Sequence, residues 1–267
     1  MQIKNKRIVV TGVASGIGKA LLNQVSRLNC TVLAVDRNDV ALTTVVSSLQ
    51  NSAAKIESYV CDIADQRNLD QLFAHADVVM GGIDIFIANA GYAYYEQLSQ
   101  EDWEHIDQIF QVNVHSPIYT AIKMKNTHPA SSYKVVITAS AIGKLGLPGY
   151  ALYAATKSAV DRFAEAYRFE LDDPTQLALV YPIATRTNFF REASDHKAPT
   201  PWPSQTADQV ASAIIKGIER DKKSIYPSFV YRMFLTVGKL IPVLFHLEQW
   251  IEKQRFEKWI EEKKKSI

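Results

Sequence analysis

Ile8-Val9-Val10-Thr11-Gly12-Val13-Ala14-Ser15-Gly16-Ile17-Gly18 leads into a stretch of helical character over residues 19–28. The order is apolar strand, glycine-rich turn, helix. Glycines let a backbone approach a pyrophosphate closely, and a helix N-terminus offers free N–H groups and the positive end of its dipole. The spacing is Gly-x-x-x-Gly-x-Gly, not the more familiar Gly-x-Gly-x-x-Gly. A tight turn requiring positive φ would use the same residues. The strand before it and the helix after it favour a phosphate cradle.

The same alternation continues outward. Thr31-Val32-Leu33-Ala34-Val35 predicts a second strand ending at Asp36, 20 residues beyond Gly16. An acid there can accept from both hydroxyls of an adenosine ribose; a turn or helix-capping Asp is the alternative. Helices are expected over 40–50, 65–79, 101–125, 153–171 and 206–220. Further strands are expected over 56–60, 85–88, 134–139, 177–180 and 224–226. Gly81-Gly82 marks a helix end, and Thr206 suits a helix N-cap. Residues 188–204 form an irregular, proline-rich segment with Phe189, Phe190 and Trp202. Strands alternating with helices imply an α/β fold with a mainly parallel sheet and right-handed crossovers. Gly12, Asp36, Asp62, Asn89, Ser140 and Pro182 all fall at or just after strand C-termini, the edge where open parallel sheets bind ligands.

A second informative stretch runs from Ser140 to Lys157. Ser140 follows the apolar run Val135-Val136-Ile137, and a Gly/Pro-rich loop from Gly143 to Gly149 leads into Tyr153. Tyr153 and Lys157 are four apart among good helix formers, so both project from one helical face. A free Tyr titrates near ~10, and a neighbouring cation lowers that value. The group so formed can act as a general acid or base.

Composition sets bounds. The chain has 267 residues, 47% hydrophobic and 22% charged, with net charge +2. These values suit a globular α/β protein and give no argument for nucleic acid. Residues 1–7 lead into a strand without a signal-peptide pattern. No run of about 18 uncharged apolar residues occurs, so the expected location is cytoplasmic. Cys30 and Cys61 start one strand and end the next, about a strand length apart, ~17–20 Å. A disulfide needs ~7 Å or less between Cα atoms, so free thiols are expected. The six histidines lack metal-ligand spacing, and no metal is expected.

Taken together, the residues resemble the short-chain dehydrogenase/reductase family. The matching positions are Thr11-Gly12-Val13-Ala14-Ser15-Gly16-Ile17-Gly18, Asp62, Asn89-Ala90-Gly91, Asn113, Ser140 and Tyr153-x-x-x-Lys157, in order across residues 6–226. The resemblance implies one doubly wound Rossmann domain, residues 1–226. Its seven strands lie in the order 3-2-1-4-5-6-7 with helices on both faces. Residues 227–267 form a helical C-terminal extension.

It also implies an NAD(P)-dependent oxidoreductase acting on an alcohol/carbonyl pair. Tyr153 exchanges the proton, Ser140 holds the substrate oxygen, and Lys157 lowers the Tyr153 pKa and binds the nicotinamide ribose. Asn113 anchors a water in a relay to Lys157. Gly12, Ser15, Gly16, Ile17 and Gly18 cradle the phosphates. Asp62 and Ile63 frame the adenine, and Asn89, Ala90 and Gly91 line the middle of the cofactor. Pro182, Thr185 and Thr187 complete the contact set with Tyr153 and Lys157. Two positions depart from the family: its Pro-Gly pair is here Pro182-Ile183, and Ala88 replaces an Asn.

Asp36 favours NAD(H) because a carboxylate repels a 2′-phosphate. Arg37 argues the other way, because a guanidinium grips phosphate, so NADP(H) stays open. Tyr92, Leu147 and Phe189 are candidate substrate contacts with Ser140 and Tyr153, making an apolar pocket for a small-molecule alcohol or carbonyl. The family implies a homodimer or homotetramer. A nucleotide-binding scaffold without catalysis is the competing function, since fold does not fix function. The tail, 227–267, is amphipathic. It is expected to dock over the cleft and wall the substrate pocket, with a membrane interface as the alternative.

Overall fold

A computed structural model describes residues 1–128, 132–196, 198–199 and 203–266. Seven strands form one parallel sheet in the order β3-β2-β1-β4-β5-β6-β9. These are β1 (Arg7–Thr11), β2 (Thr31–Asp36), β3 (Lys55–Val60), β4 (Ile85–Ala88), β5 (Lys134–Thr138), β6 (Leu177–Val180) and β9 (Ser224–Ile225). The order is the one expected, the two-residue edge strand being the seventh. Arg7 pairs with Thr31 and Ile8 with Ile85, so β1 lies mid-sheet.

Alternate strand residues serve opposite faces, and both faces are buried. Val9, Leu33, Phe86, Val135 and Leu179 pack with α3 (Gln66–Met80), α5 (Ser116–Thr127) and α6 (Ala151–Tyr167). Ile8, Val10, Ala34, Ile87 and Val136 pack with α1 (Gly16–Val25), α2 (Asp39–Ser47) and α8 (Ala207–Glu219). Burial on both faces explains why these strands are continuous apolar runs.

Local chemistry sets the helix ends. Asp65 caps α3 by accepting from the Arg67 N–H, and Gly81 ends it in the left-handed region at φ 73°. Thr206 and Gln209 form a reciprocal capping box on α8.

The expected helix over 101–125 is not one rod. It divides into α4 (Trp103–Phe110), a wider turn at Gln111–His115, and α5. The Ser116 N–H bonds the Gln111 carbonyl, five residues back. Pro117 has no N–H for the Asn113 carbonyl four residues before it, which favours the wider turn. Inserted turns of this kind are frequent at functional sites.

The segment expected to be irregular, 188–204, is bracketed by a strand pair and holds one short helix. β7 (Ala184–Arg186) pairs in parallel with β8 (Ser204–Thr206), and the short α7 (Phe189–Glu192) lies between them. Trp202 lies outside the described residues.

After β9, α9 (Phe229–Leu240) and α10 (Val243–Ser266) turn by 118° at the Ile241-Pro242 break. One side of this pair rests on the body. The Tyr231 hydroxyl donates to the Ala141 carbonyl at 2.9 Å, and the Gln249 amide to that of Gly146 at 3.0 Å. Trp259 and Phe256 pack edge-on against Tyr95, with centroids 4.9 and 5.6 Å away. Among the described residues, no single helix is long and apolar enough to cross a membrane. Cys30 and Cys61 are free and buried, and burial pushes both thiols up to about 11.

Candidate active site

A cleft of about 1560 Å³ lies along the C-terminal edge of the sheet. At one end is the turn between β1 and α1. Gly12 and Gly16 take φ values of 74° and 54°, which only glycine adopts cheaply. A Cβ on Gly18 would lie 1.9 Å from the Gly12 carbonyl oxygen. The turn therefore closes only with glycine there, and it leaves the α1 N-terminus bare. The expected phosphate contacts Gly12, Ser15, Gly16 and Ile17 all line the cleft. Gly18 lies beneath them and acts through packing. The cradle has the shape and free N–H groups that a pyrophosphate needs.

Asp36 ends β2 beside this turn. One carboxylate oxygen accepts the Ala14 N–H at 2.9 Å and the other the Asn38 N–H at 3.0 Å. These bonds fix the carboxylate on the cleft wall, with exposed Arg37 next to it. Asp62 and Ile63, just past β3, line the same end.

The middle is stitched by Asn89. Its amide donates to the Thr11 carbonyl at 3.1 Å, and its oxygen accepts from the Thr138 hydroxyl at 3.3 Å. The Thr11 hydroxyl in turn accepts the N–H groups of Asn89 and Ala90, each at 3.1 Å. Three strand ends are thereby held together. Gly91 sits where a Cβ would come within 2.8 Å of Asn113 Oδ1 and 3.4 Å of Lys157 Nζ.

Ser140, Tyr153 and Lys157 meet at the far end. Ser140 stands just beyond β5, where its Oγ accepts the Ile142 N–H at 3.3 Å. Tyr153 and Lys157 project from the first turns of α6, both buried. Lys157 Nζ donates to the Thr138 carbonyl at 2.8 Å and stands 5.7 Å from the Tyr153 ring centroid.

The electrostatics differ from the expectation that Lys157 lowers the Tyr153 pKa. Burial dominates and pushes Tyr153 up to about 12, with a Ser140 hydrogen bond pulling the other way. Burial also brings Lys157 down to about 8. The cation lies over the ring and bonds a carbonyl, while desolvation acts on the phenol as a whole.

Asn113 is buried in the wider turn and does not line the cleft. Its amide donates to the Tyr92 carbonyl at 2.8 Å and to the Thr156 hydroxyl at 3.1 Å. Pro182, Thr185 and Thr187 line the cleft opposite α6. Ile183 stands where the family has glycine, and the Pro182 carbonyl still accepts the Ala141 N–H at 2.9 Å.

The expected substrate contacts Tyr92, Leu147 and Phe189 face the same space, with Leu145, Tyr150 and Phe190. Phe189 lies 5.6 Å from Tyr153, ring to ring. Tyr94 stacks on His105 at 3.9 Å, and Tyr95 is buried beneath Tyr150. Among the described residues the buried Tyr150 hydroxyl has no hydrogen-bond partner. Of the residues the tail brings into the cleft wall, Phe234 belongs to the apolar tail pattern, while Val230, Tyr231 and Glu248 were not singled out from the sequence. Their helical periodicity was legible; which face would turn inward was not.

Comparison with known proteins agrees with this geometry. The family model described as short chain dehydrogenase matches residues 6–198. A 3beta-hydroxysteroid dehydrogenase of Mediterraneibacter gnavus is 30% identical over 165 residues, 60% of this chain and 59% of that protein. The match therefore spans about three-fifths of that relative's length. Among solved structures, a short chain dehydrogenase/reductase from Burkholderia phymatum in complex with NAD superposes with TM-score 0.79 at 19% identity, covering 91% of this chain and 96% of that one. A short-chain dehydrogenase from Sphingobium yanoikuyae in complex with NADPH gives 0.76 at 22%, covering 90% and 95%.

Proposed function

Because the chain belongs to the short chain dehydrogenase family of oxidoreductases, we propose that it interconverts an alcohol and a ketone or aldehyde, with Tyr153 as the proton-transfer group. The observation that carries this reading is the convergence of Ser140, Tyr153 and Lys157 at the same sheet edge as the glycine cradle. A nicotinamide cofactor supplies or accepts the hydride when bound. Gly12, Ser15, Gly16 and Ile17 would hold its phosphates, Asp36 and Arg37 its adenosine ribose, and Asp62 and Ile63 its adenine. Asn89, Ala90, Gly91, Pro182, Thr185 and Thr187 would line the remainder.

The protein's own residues handle the proton. With its pKa raised to about 12, Tyr153 carries its proton at neutral pH and can deliver it from Oη to a carbonyl oxygen becoming an alcohol. In the oxidative direction the same oxygen must receive a proton, so a positive charge nearby has to favour phenoxide. Lys157 is the cation in place for that. Ser140 steadies the oxygen as charge develops on it. Asn113 holds the Tyr92 backbone and so shapes the wall beside this centre.

The cleft lining around Tyr153 is largely aromatic and aliphatic, which supports an apolar substrate. The steroid named for the 30%-identical relative makes steroid ketones the first compounds to try. Assembly as a homodimer or homotetramer is part of the same proposal. Gel filtration with light scattering tests it, and a monomer at micromolar concentration overturns it.

Purified protein with NADH or NADPH, run against steroid ketones, long-chain aldehydes and sugars, tests the catalytic reading. Cofactor oxidation that depends on the carbonyl is expected. Tight cofactor binding with no turnover anywhere in the panel would favour the nucleotide-binding scaffold.

A further inference from the structure

We propose that the α9–α10 corner is a docking surface for an anionic phospholipid bilayer. The two helices have opposite faces with opposite surroundings. Turning about 100° per residue, Phe229, Met233 and Leu240 fall on one side of α9, and all three are exposed. The opposite side carries buried Leu235 and Gly238. On α10, Val243, Leu247 and Trp250 share an exposed side, while Trp259 lies buried on the other. Phe229 is 72% exposed, Leu240 81% and Val243 63%. Segments 229–240 and 243–251 thus present exposed apolar sides that meet in a strip at the Leu240, Ile241 and Val243 corner, on a pair already fixed to the body by its other face.

Charge selects the partner. From residue 227 to 251 the one acid, Glu248, lies on the cleft side of α10, while Arg232 and Lys239 are both exposed. The two cations are seven apart, so they share one flank of the strip. Apolar side chains that enter the acyl boundary beside cations that reach headgroups are the design of an interfacial helix. A second copy of this chain would set a patch of the same positive sign against this one across a two-fold axis, which disfavours that partner relative to an anionic one. Val230 is exposed and also lines the cleft, so the strip borders the cleft mouth. Docking itself does not depend on the catalytic reading.

The test is flotation of the full-length protein with vesicles of phosphatidylcholine alone and with added phosphatidylserine or phosphatidylglycerol. Binding to the anionic vesicles that falls with salt is expected. Each neutralised cation should weaken it about five-fold, from roughly 1 kcal/mol per basic residue, so Arg232→Gln and Lys239→Gln are read singly and together. Leu240→Ser with Val243→Ser should abolish it, while Phe169→Ser at an exposed site elsewhere should not. Circular dichroism and thermal melting check that each variant is folded, and the charge variants provide a second route should the serine pair fail to fold. Equal binding to phosphatidylcholine overturns the headgroup selection. No binding to either vesicle overturns the proposal, as does a dimer that Leu240→Ser converts to monomer, which would assign the strip to a second copy.

Discussion

Asn113 and Tyr92 are paired as two backbone strands would be. The Asn113 amide donates to the Tyr92 carbonyl at 2.8 Å, and its Oδ1 accepts the Tyr92 N–H at 3.2 Å. A side chain on the wider helical turn thereby satisfies both polar groups of a loop residue in the cleft wall. Asn113→Ala leaves both unpaired, and a buried unsatisfied group costs about 1–3 kcal/mol. A loss of about 2–4 kcal/mol in urea unfolding is expected. Asp at this position keeps the acceptor but loses the donor, so it should fall between. A wild-type midpoint for the Ala variant would refute the pairing.

Pro117→Ala addresses the turn itself. It restores an N–H to the Asn113 carbonyl and lets α4 and α5 run on as one regular helix. Regularising the turn rotates Asn113 away from Tyr92. Turnover should drop by about ten-fold or more, the scale of a small misplacement near reacting groups, and the lost Asn113–Tyr92 bonds should lower stability by about as much as in Asn113→Ala. Unaltered kinetics would mean that the turn does not position the site.

Tyr153→Phe removes one oxygen from a buried ring that otherwise keeps its packing against Phe189 and Tyr150. Turnover should fall about 10²–10⁴-fold, the usual contribution of a positioned acid or base. Cofactor affinity should stay within a few-fold. Activity within ten-fold of the parent, on a proven substrate, would remove Tyr153 from its role.

Asp36 should direct the protein to NAD(H). Its two oxygens already take the Ala14 and Asn38 N–H groups, so the negative charge cannot turn away from an incoming phosphate. In Asp36→Ala that charge is gone while Arg37 remains, and the NADPH/NADH affinity ratio should rise on the order of ten-fold or more. Tighter NADPH binding by the unaltered protein would reverse the assignment.

Lys157 gives a pH signature with a definite sign. Its folded pKa is about 8 against an unfolded value of 10.5. Between those values the unfolded chain binds a proton that the native protein has lost, so this group's contribution to stability rises with pH. The full span amounts to about 3 kcal/mol. Tyr153 works in the next window, from 10 to about 12. There the native state keeps the proton longer, and stability falls with pH. Urea midpoints at about pH 7.5 and 10 should show the parent gaining relative to Lys157→Met. A constant difference between the two would contradict the burial of Lys157.

Much of this was legible in the sequence because the relevant forces are local. Val9 and Val10 lie in a continuous apolar run, the mark of a strand buried on both sides, and Asp65 and Gly81 carry their capping chemistry in their own side chains. Ser140, Tyr153 and Lys157 share one end of the cleft because the sheet order brings β5 and α6 together. What escaped depends on distant partners. Ala184-Thr185-Arg186 has no apolar run to announce a strand, and its pairing with residues 204–206 exists only in the folded chain. The turn at Gln111–His115 hides in helical periodicity, with Pro117 as its one local hint. The upward shift of Tyr153 reflects burial by several elements at once, which spacing between Tyr153 and Lys157 cannot report.

The wall that α9 and α10 add to the cleft also has a consequence in time. A chain is synthesised from its N-terminus, and early elements can organise before later ones exist. Every strand of the large sheet precedes Phe229, and Trp259 reaches Tyr95 across more than half the sequence. A nascent chain released before α10 can therefore hold the glycine cradle and Tyr153 while Tyr95 and Tyr150 still lack their cover. Those aromatic rings are then open to chaperones and to other nascent chains, and the emergence of α10 is what ends that exposure.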